Sequence, residues 1–265
     1  MTTTVKDNPR FHPYFDLNGR VVIVTGGGQG LGRAFAKHFA VAGAIPVIAE
    51  LNADKAASVV AEIELAGGQA FAVQTDVGDA DSVHEMGRRV IKQFGRIDVL
   101  LNNAGIFSTL KMRRFEEIPL DEWEQVLKVN ISGVFHGCRA VSPFMREAGW
   151  GRIINMGSGA VTMGRPNYLH YTTSKASLVG MTRSMARELG PHGITVNTIL
   201  PGATYTEIDR QTVSPEQKER ITASQCIPRP EAPEDLVGTA LFLASNAAAF
   251  LTGQAVTVDG GATHP

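Results

Sequence analysis

Three polar residues near the middle of the chain have types and a spacing that suit proton transfer. Tyr171 and Lys175 lie four residues apart in "HYTTSK", and Ser158 precedes the tyrosine in "NMGSGA". Positions i and i+4 of a helix share one face, so an ammonium would lie beside a phenol and favour the phenolate. Such a tyrosine can exchange a proton near neutral pH, and a serine hydroxyl can hold a substrate oxygen. Because these residue types are common, the elements that carry them must decide between a site and coincidence.

Short β-branched runs alternate with longer amphipathic segments along the 265 residues. The pattern predicts seven strands, at 20–25, 44–50, 69–76, 97–105, 151–157, 193–200 and 255–260. It predicts helices at 30–43, 53–68, 79–95, 120–146, 168–189 and 234–245. Continuous apolar strands separated by helices indicate a parallel sheet covered on both faces. We therefore expect an α/β fold, a single doubly wound Rossmann-type domain with about seven parallel strands.

Residues 1–17 are interpreted as an added N-terminal arm, and residues 18–265 as one dinucleotide-binding and catalytic domain. The segment 203–230 is polar and contains three prolines, so it reads as an irregular insertion. A long insertion of this kind in a compact fold predicts a substrate lid.

The composition argues against several classes of protein. The formal net charge is −1, which gives no reason to expect nucleic acid or an anionic membrane as a partner. The two cysteines, Cys138 and Cys226, lie far apart, and both are expected to be small buried groups in a reducing compartment. With no secretory signal or membrane span in the sequence, we expect a soluble cytoplasmic protein.

The sequence "TGGGQGLG" (25–32) joins the first predicted strand to the first predicted helix. Its glycines fit TGxxxGxG, at Gly26, Gly30 and Gly32, rather than GxGxxG. Glycines let the backbone approach a pyrophosphate, and a helix N-terminus offers free N–H groups and a positive dipole. We expect Gln29 and Leu31 to take part in this contact, although a glycine turn without a ligand stays open.

Glu50 ends the second predicted strand, and a carboxylate there can bind both hydroxyls of an adenosine ribose. It would also repel a 2′-phosphate, and neither Gln29 nor Leu51 offers a positive charge to hold one. The prediction is therefore NAD rather than NADP. Asp76 and Val77 end the third strand, where an adenine would lie, although a helix-capping turn explains them equally well.

Further motifs occur in a fixed order along the chain. They are "TGGGQGLG" (25–32), "NNAG" (102–105), "VN" (129–130), Ser158, "YTTSK" (171–175), "PGATYT" (201–206) and "TGQAVTVDGG" (252–261). From about residue 17 onwards the chain resembles the short-chain dehydrogenase/reductase family, in the branch of NAD-dependent secondary-alcohol dehydrogenases and 3-oxoacyl reductases.

The resemblance implies roles for the matching positions. Tyr171 would exchange a proton with the substrate oxygen, Ser158 would steady that oxygen, and Lys175 would hold the nicotinamide ribose. Asn130 would anchor a water molecule that relays the proton to solvent. Further cofactor contacts would come from Asn103, Ala104, Gly105, Pro201, Gly202, Thr204 and Thr206.

The substrate is expected to contact residues after "NNAG", between Ser158 and Tyr171, and in the lid. The wall residues would be Phe107, Ser158, Val161, Tyr168 and Tyr205, with Ile106, Met163, Ile208 and Cys226 as further candidates. Such apolar walls predict a hydrophobic secondary alcohol or ketone, cyclic and aryl compounds included. Arg165 is interpreted as a solvated loop arginine and His170 as a pocket or surface histidine. No histidine spacing such as HExxH predicts a metal site.

Two other functions compete with an NAD-dependent alcohol dehydrogenase. One is an NADPH-dependent 3-oxoacyl reductase, which the resemblance disfavours because Gly149 and His192 occupy positions where basic residues would dock the acidic carrier. The other is a non-catalytic NAD-binding scaffold or sensor, which would be expected to lose Tyr171 or Lys175.

The resemblance also implies a homotetramer in which the helices at 120–146 and 168–189 pack against their copies. The apolar residues on these two helices agree with such contacts. They include Val134, Phe135, Leu178 and Met181.

Overall fold

Seven parallel strands form one continuous sheet in the computed structural model, which describes residues 12–208 and 215–264. The strands are β1 (Val21–Thr25), β2 (Ile45–Glu50), β3 (Phe71–Gln74), β4 (Val99–Asn102), β5 (Gly151–Met156), β6 (Ile194–Pro201) and β7 (Ala255–Val258). Their order across the sheet is β3-β2-β1-β4-β5-β6-β7. The predicted doubly wound parallel sheet is confirmed.

Helices cover both faces of this sheet. The longer ones are α2 (Gly30–Val41), α3 (Ala53–Leu65), α4 (Ala80–Phe94), α5 (Leu120–Leu127), α6 (Gly133–Ala148), α8 (Leu169–Leu189), α9 (Pro215–Ala223) and α10 (Pro233–Ala244). Two single-turn helices are α1 (His12–Phe15) and α7 (Ala160–Met163).

Alternation along the strands divides the hydrophobic core into two layers. On β1, Val22 and Val24 pack on the face covered by α2, α3 and α10, whereas Val21 and Ile23 pack under α4, α6 and α8. Both sets are buried because successive side chains of a strand point to opposite faces. This burial on both faces explains why the strands read as continuous apolar runs.

Local signals set where several helices begin and end. The Asn52 side chain accepts hydrogen bonds from the N–H groups of Asp54 and Lys55 at the start of α3. Gly95 follows α4 with a φ of 72°, a left-handed conformation that glycine adopts without a steric penalty. Such sharp helix ends allow the next strand to begin within a few residues, as β4 does after α4.

The structure differs from the sequence prediction at four places. The helix predicted at 120–146 is two helices, α5 and α6, joined by a π-helical turn at Lys128–Ser132. Between β5 and α8 the short helix α7 was not predicted. The lid is not wholly irregular, since α9 lies within it. Residues 1–11 of the predicted arm lie outside the described residues, but its last residue, Leu17, is buried in the core.

The two cysteines differ in burial, which corrects one expectation. Cys138 is buried and Cys226 is exposed. Burial raises the pKa of the Cys138 thiol to about 12, so that this group behaves as a small apolar side chain. Within the described residues, no helix is both long and apolar enough to cross a membrane.

Candidate active site

A cavity of about 880 Å³ opens along the carboxyl ends of the strands. Strand order reverses between β1 and β4, where open parallel sheets place their ligand crevice. Glu50 at the end of β2 and Ser158 beyond β5 both line it. Three strand spacings separate β2 from β5, which is about 14 Å. The cavity therefore has room for an extended ligand lying across the sheet.

Tyr171 and Lys175 lie on the first turns of α8 and both line the cavity. The Lys175 ammonium is buried, donates to the carbonyl oxygen of Met156 at 2.7 Å and lies 5.9 Å from the centroid of the Tyr171 ring. Burial lowers the pKa of Lys175 to about 8. A lysine with this pKa changes its charge near physiological pH, beside a phenol that faces the cavity.

Ser158 follows the end of β5 and lines the cavity with the tyrosine and lysine. Its Oγ accepts a hydrogen bond from the N–H of Ala160 at 3.2 Å, which orients the hydroxyl at the start of α7. The neighbouring Gly159 N–H donates to the carbonyl oxygen of Pro201 at 2.7 Å and ties this turn to the end of β6. The fold therefore brings the three residues of the sequence motif to one cavity.

Asn130 lies in the π-helical turn and is fully buried. Its Oδ1 accepts from the N–H of Ile106 at 2.7 Å, and its Nδ2 donates to the carbonyl oxygen of Ile106 and to Ser174 Oγ. A Cβ on Gly105 would lie 3.3 Å from both Asn130 Oδ1 and Lys175 Nζ. Asn130 thus adjoins the lysine without lining the cavity. A wide turn of this type is frequent at functional sites.

The glycine loop is packed so closely that side chains are excluded. Gly26 has a φ of 62°, and a Cβ there would lie 2.9 Å from the Cα of Ala104. A Cβ on Gly32 would lie 2.1 Å from the carbonyl oxygen of Gly26. The Asn103 side chain donates to the carbonyl oxygens of Thr25 and Gly26 and so fixes the loop. The conformation needs glycine at these positions.

The N-terminus of α2 contacts both the lid and the cavity. The N–H of Gly30 donates to the Glu207 carboxylate at 2.8 Å, so the lid is tied to the glycine loop. Gln29 and Leu31 line the cavity, whereas Gly30 and Gly32 do not. The contact with Glu207 was not predicted, because 177 residues separate its two partners.

Glu50 lies where a ribose carboxylate was predicted. Its oxygens accept from the N–H groups of Gly28 at 3.1 Å and Asn52 at 3.2 Å. Lys55 adjoins the same place, and its Nζ donates to Gln29 Oε1. Gln29 and Leu51 carry no positive charge, as the sequence showed, but the structure adds the Lys55 ammonium near this carboxylate. Sequence reasoning missed Lys55 because it lies on the first turn of α3, outside the motifs.

Asp76 and Val77 line the cavity next to β3. The Asp76 carboxylate accepts from the N–H of Gly78 at 2.8 Å, and the Asp76 N–H donates to Ser82 Oγ. Asp76 therefore shapes the turn before α4 and at the same time borders the cavity. The two interpretations that the sequence left open are compatible.

A buried carboxylate fixes the start of the lid. Glu231 accepts from Thr204 Oγ1 and from the N–H of Gly202, and its own carbonyl oxygen accepts from the N–H of Tyr205. Burial raises the pKa of Glu231. Pro201, Gly202, Thr204 and Thr206 all line the cavity. Sequence reasoning missed Glu231, which lies in none of the motifs.

The substrate side of the cavity is mainly apolar. Phe107 lines it, and its ring centroid lies 4.6 Å from that of Tyr171. Four of the predicted wall residues do not line it. Tyr168 is buried behind Phe107 at a centroid distance of 5.9 Å, and the Tyr205 ring lies under Lys218. Further lining residues are Ile106, Met112, Met163, Ile208 and Ile221, whereas Val161, Tyr168, Tyr205 and Cys226 are not among them.

His170 is neither a pocket nor a surface residue. Its side chain is fully buried, and Nε2 lies 3.3 Å from the Glu122 carboxylate on α5. Arg113 lies 3.5 Å from the other oxygen of Glu122. This cluster joins the start of α8 to α5 behind the cavity wall and gives His170 no access to a ligand.

The donor set and the shape of the crevice fit a dinucleotide. The glycine loop offers a tightly packed backbone at a helix N-terminus, which suits a diphosphate. The Glu50 carboxylate suits ribose hydroxyls, and Tyr171, Lys175 and Thr206 line the opposite part of the cavity.

The chain is similar to several known proteins. Residues 26–263 match the model of a protein family described as enoyl-(acyl carrier protein) reductase. The chain is 40% identical over 248 residues to a 3-oxoacyl-[acyl-carrier-protein] reductase of Synechocystis sp., covering 92% of this chain and 97% of that protein. It is 36% identical over 249 residues to D-threitol dehydrogenase of Mycolicibacterium smegmatis, covering 94% and 95%.

A solved structure has the same fold. This is 7α-hydroxysteroid dehydrogenase in complex with NADH and 7-oxoglycochenodeoxycholic acid. The TM-score is 0.89 at 35% identity, covering 94% of this chain and 96% of that one. Relatives of similar identity thus act on acyl groups, polyols and steroids.

Proposed function

The chain belongs to the short-chain dehydrogenase/reductase family of oxidoreductases, and from this premise we propose that it transfers a hydride between NAD(H) and a hydrophobic secondary alcohol or ketone. Cyclic and aryl compounds are included in this class. One observation carries the proposal: the buried Tyr171 and Lys175 face the same cavity as Ser158, beside the apolar wall around Phe107. A phenol, an ammonium and a hydroxyl arranged around one space suit proton exchange with a substrate oxygen.

Each residue has a part in that exchange. Ser158 donates a hydrogen bond to the substrate oxygen and fixes its position. Tyr171 gives its phenolic proton to a carbonyl oxygen in reduction and takes the proton from a hydroxyl in oxidation. Lys175 stabilises the phenolate electrostatically and holds the nicotinamide ribose. When bound, the nicotinamide supplies or accepts the hydride.

Asn130 acts on the proton rather than on the substrate. It adjoins Lys175 through the backbone at Gly105, and hydrogen bonds to Ile106 and Ser174 fix its side chain. We assign it the anchoring of a water molecule that passes the proton from Lys175 towards solvent.

NAD rather than NADP is favoured by Glu50. Its carboxylate lies next to the glycine loop, where a 2′-phosphate would meet a negative charge. The similar 7α-hydroxysteroid dehydrogenase was solved with NADH. Gly26, Asn103, Ala104 and Gly105 would border the adenosine side.

A 3-oxoacyl reductase that uses NADPH is the second candidate. The 40% identical relative has that acyl-carrier activity in its name, and the Lys55 ammonium near Glu50 could meet a 2′-phosphate. Gly149 and His192 are exposed and carry no basic docking group between α6 and β6. Preference for NADPH with an acyl-carrier substrate would favour this candidate. A non-catalytic NAD-binding scaffold would instead bind NADH tightly without turnover.

The decisive test is turnover with a panel of aliphatic, alicyclic and aryl secondary alcohols. Formation of NADH from NAD and of NADPH from NADP would be measured separately. We expect turnover with NAD, and loss of at least a thousandfold in Tyr171→Phe, which keeps the ring and removes the exchangeable proton. Silence across the panel despite NADH binding would reject the proposed reaction.

We further propose a cytoplasmic homotetramer. The exposed Cys226 thiol fits a reducing compartment. Of the four apolar residues expected at the interface, Val134 and Leu178 are buried in the core of one chain and Met181 packs against it. Phe135 is different, since it is 50% exposed on α6. The proposed contact therefore depends on Phe135.

A further inference from the structure

Two arginines line the cavity on its substrate side, and they point to a property of the substrate. We propose that the substrate carries an anionic group, a carboxylate or a phosphate, that Arg165 and Arg220 bind while the reacting carbon lies near Tyr171. This inference rests on the proposed function, because it describes the ligand of the same site.

Arg220 reaches the cavity from the lid helix α9. Gln217, Arg220, Ile221 and Ser224 all line the cavity and recur at intervals of three and four residues. They therefore occupy one face of the helix, and that face covers the cavity. Arg220 therefore borders the cavity from the lid, with its side chain exposed to solvent at the cavity opening.

Arg165 reaches the cavity from the connection between α7 and α8. Its guanidinium carbon lies 4.6 Å from the centroid of the Tyr168 ring, which is itself buried. A cation over an aromatic face is held in position without using its N–H donors. The ring therefore orients Arg165 and leaves its N–H groups available to a ligand.

Neither arginine has a carboxylate partner among residues 12–208 and 215–264. Other arginines of the same two regions do: Arg113 pairs with Glu122, Arg114 with Glu116 and Arg229 with Asp235. Unpaired guanidinium groups at a cavity are ready to bind a carboxylate or phosphate, which they contact through two parallel N–H groups.

Two of the three acidic lining residues lie at the far end of the sheet from the lid, and the third, Asp259, follows β7 and is engaged by backbone N–H groups. The acidic lining residues of the described chain are Glu50, Asp76 and Asp259. Glu50 and Asp76 lie at the ends of β2 and β3, and Asp259 accepts hydrogen bonds from Gly261, Ala262 and Thr263. Beside the two arginines, the cavity has an apolar section formed by Phe107, Met112, Met163, Ile208 and Ile221.

The same charges could serve a different anion, the diphosphate of the cofactor. Arg220 is the residue open to this alternative, because the lid also contacts the glycine loop through Glu207. Cofactor affinity and substrate affinity must therefore be measured for the same variants.

The test uses pairs of ketones that differ only in charge. These are 4-acetylbenzoate with 4-acetylbenzamide, and 7-oxooctanoate with 7-oxooctanamide. Dissociation constants would be measured by calorimetry on the NAD⁺-loaded protein, in which a ketone cannot react. We expect one or both carboxylates to bind at least tenfold more tightly than the matched amide, with a preference that falls as salt is raised.

Variants of the two arginines test whether they cause the preference for the carboxylate over the amide. Arg165→Gln and Arg220→Gln should each reduce it at least fivefold. Arg146→Gln, an exposed arginine on α6 that does not line the cavity, should leave it unchanged. Melting temperatures would show that the variants fold.

Three results would overturn the inference. They are equal affinity for acid and amide in both pairs, a preference that survives in both glutamine variants, and loss of NADH affinity in Arg220→Gln without any change in preference. Turnover is a separate readout. If neutral alcohols react and no carboxylate preference is found, the role of the two arginines is rejected and the proposed function stands. If a carboxylate preference is found without turnover, the arginines bind an anion and the proposed function is rejected.

Discussion

Burial of the Lys175 ammonium imposes an electrostatic penalty on the folded protein, because the ammonium donates to a neutral group, the Met156 carbonyl oxygen. Its pKa in the folded protein, about 8, lies below the ordinary value of 10.5. The folded state therefore disfavours the protonated lysine. That penalty is fully present below pH 8 and fades as pH rises through 10.5, above which the lysine is neutral in both states.

Replacement of this lysine should reveal the penalty. Lys175→Met should be most stable relative to wild type below pH 8, and the difference should fall by about 3 kcal/mol as pH rises to 10.5. Urea unfolding across this range measures it, with the exposed Lys92→Met as the matched control. A difference that does not change with pH would mean that Lys175 has the same pKa in the folded and unfolded protein, which would contradict the lowered pKa.

The charges of Glu50 and Lys55 should have opposite effects on the binding of the 2′-phosphate of NADPH. Glu50→Ser removes the carboxylate and leaves the Lys55 ammonium beside Gln29. We expect NADPH to bind at least tenfold more tightly than in wild type, which corresponds to about 1.4 kcal/mol. Fluorescence titration of NADPH and NADH measures the change.

The double variant Glu50→Ser/Lys55→Gln is the control for that switch. It should lose the gain in NADPH affinity, because no ammonium then meets the 2′-phosphate. If the gain persists, the phosphate is bound by another group and Lys55 has no part in cofactor selection.

Sequence reasoning at this scale was most successful where function depends on short spacings. Ser158, Tyr171 and Lys175 fall within 18 residues and come together at one cavity as expected. Glu231 and Glu207 were missed because their partners lie 27 and 177 residues away. Such contacts arise from the path of the chain and leave no local pattern.

At the scale of elements, the seven strands and most helices follow from periodicity, but two local features do not. The π-helical turn at Lys128–Ser132 interrupts a segment whose apolar spacing is typical of one continuous helix. It is stabilised by the hydrogen bonds between Asn130 and Ile106, which belong to the tertiary structure. The lid helix α9 has few apolar residues, so its periodicity is weak.

The packing of the glycine loop against α2 gives a prediction for this element. Gly32→Ala would place a Cβ 2.1 Å from the Gly26 carbonyl oxygen, so the loop or the helix must shift. We expect a loss of about 1–3 kcal/mol in the free energy of unfolding and weaker binding of NADH. Thermal unfolding and calorimetry measure the two effects.

Gly238→Ala is the matched control for that change. Gly238 lies inside α10, and a Cβ there would meet no atom within 4 Å. The free energy of unfolding of this variant should rise by about 0.5–1 kcal/mol, because alanine restricts the unfolded chain and favours a helix. Equal effects of the two substitutions would show that the loop tolerates a side chain at Gly32.

At the scale of the whole molecule, the exposed Phe135 on α6 makes the proposed tetramer testable. Sedimentation should give a mass of about 114 kDa, four times the 28.4 kDa of one chain. Phe135→Glu should lower the mass to that of a dimer or a single chain, because burying a carboxylate in an apolar contact is unfavourable.

The control for assembly is Val41→Glu, on α2. Val41 is also highly exposed but lies away from α6 and α8. It should leave the mass unchanged. A wild-type protein that sediments as a monomer at micromolar concentration would contradict the proposed tetramer.

The two sides of the cavity are formed by different parts of the chain, and this separation allows one side to change in evolution without the other. The ends of β1, β2 and β3 border one side, whereas the substrate side is bordered by 106–112, 159–166 and α9. Mutations in these later segments can change which compound is accepted while the redox machinery stays intact. Segment exchange between relatives, especially of 215–224, is therefore a rational route to new biocatalysts on this scaffold.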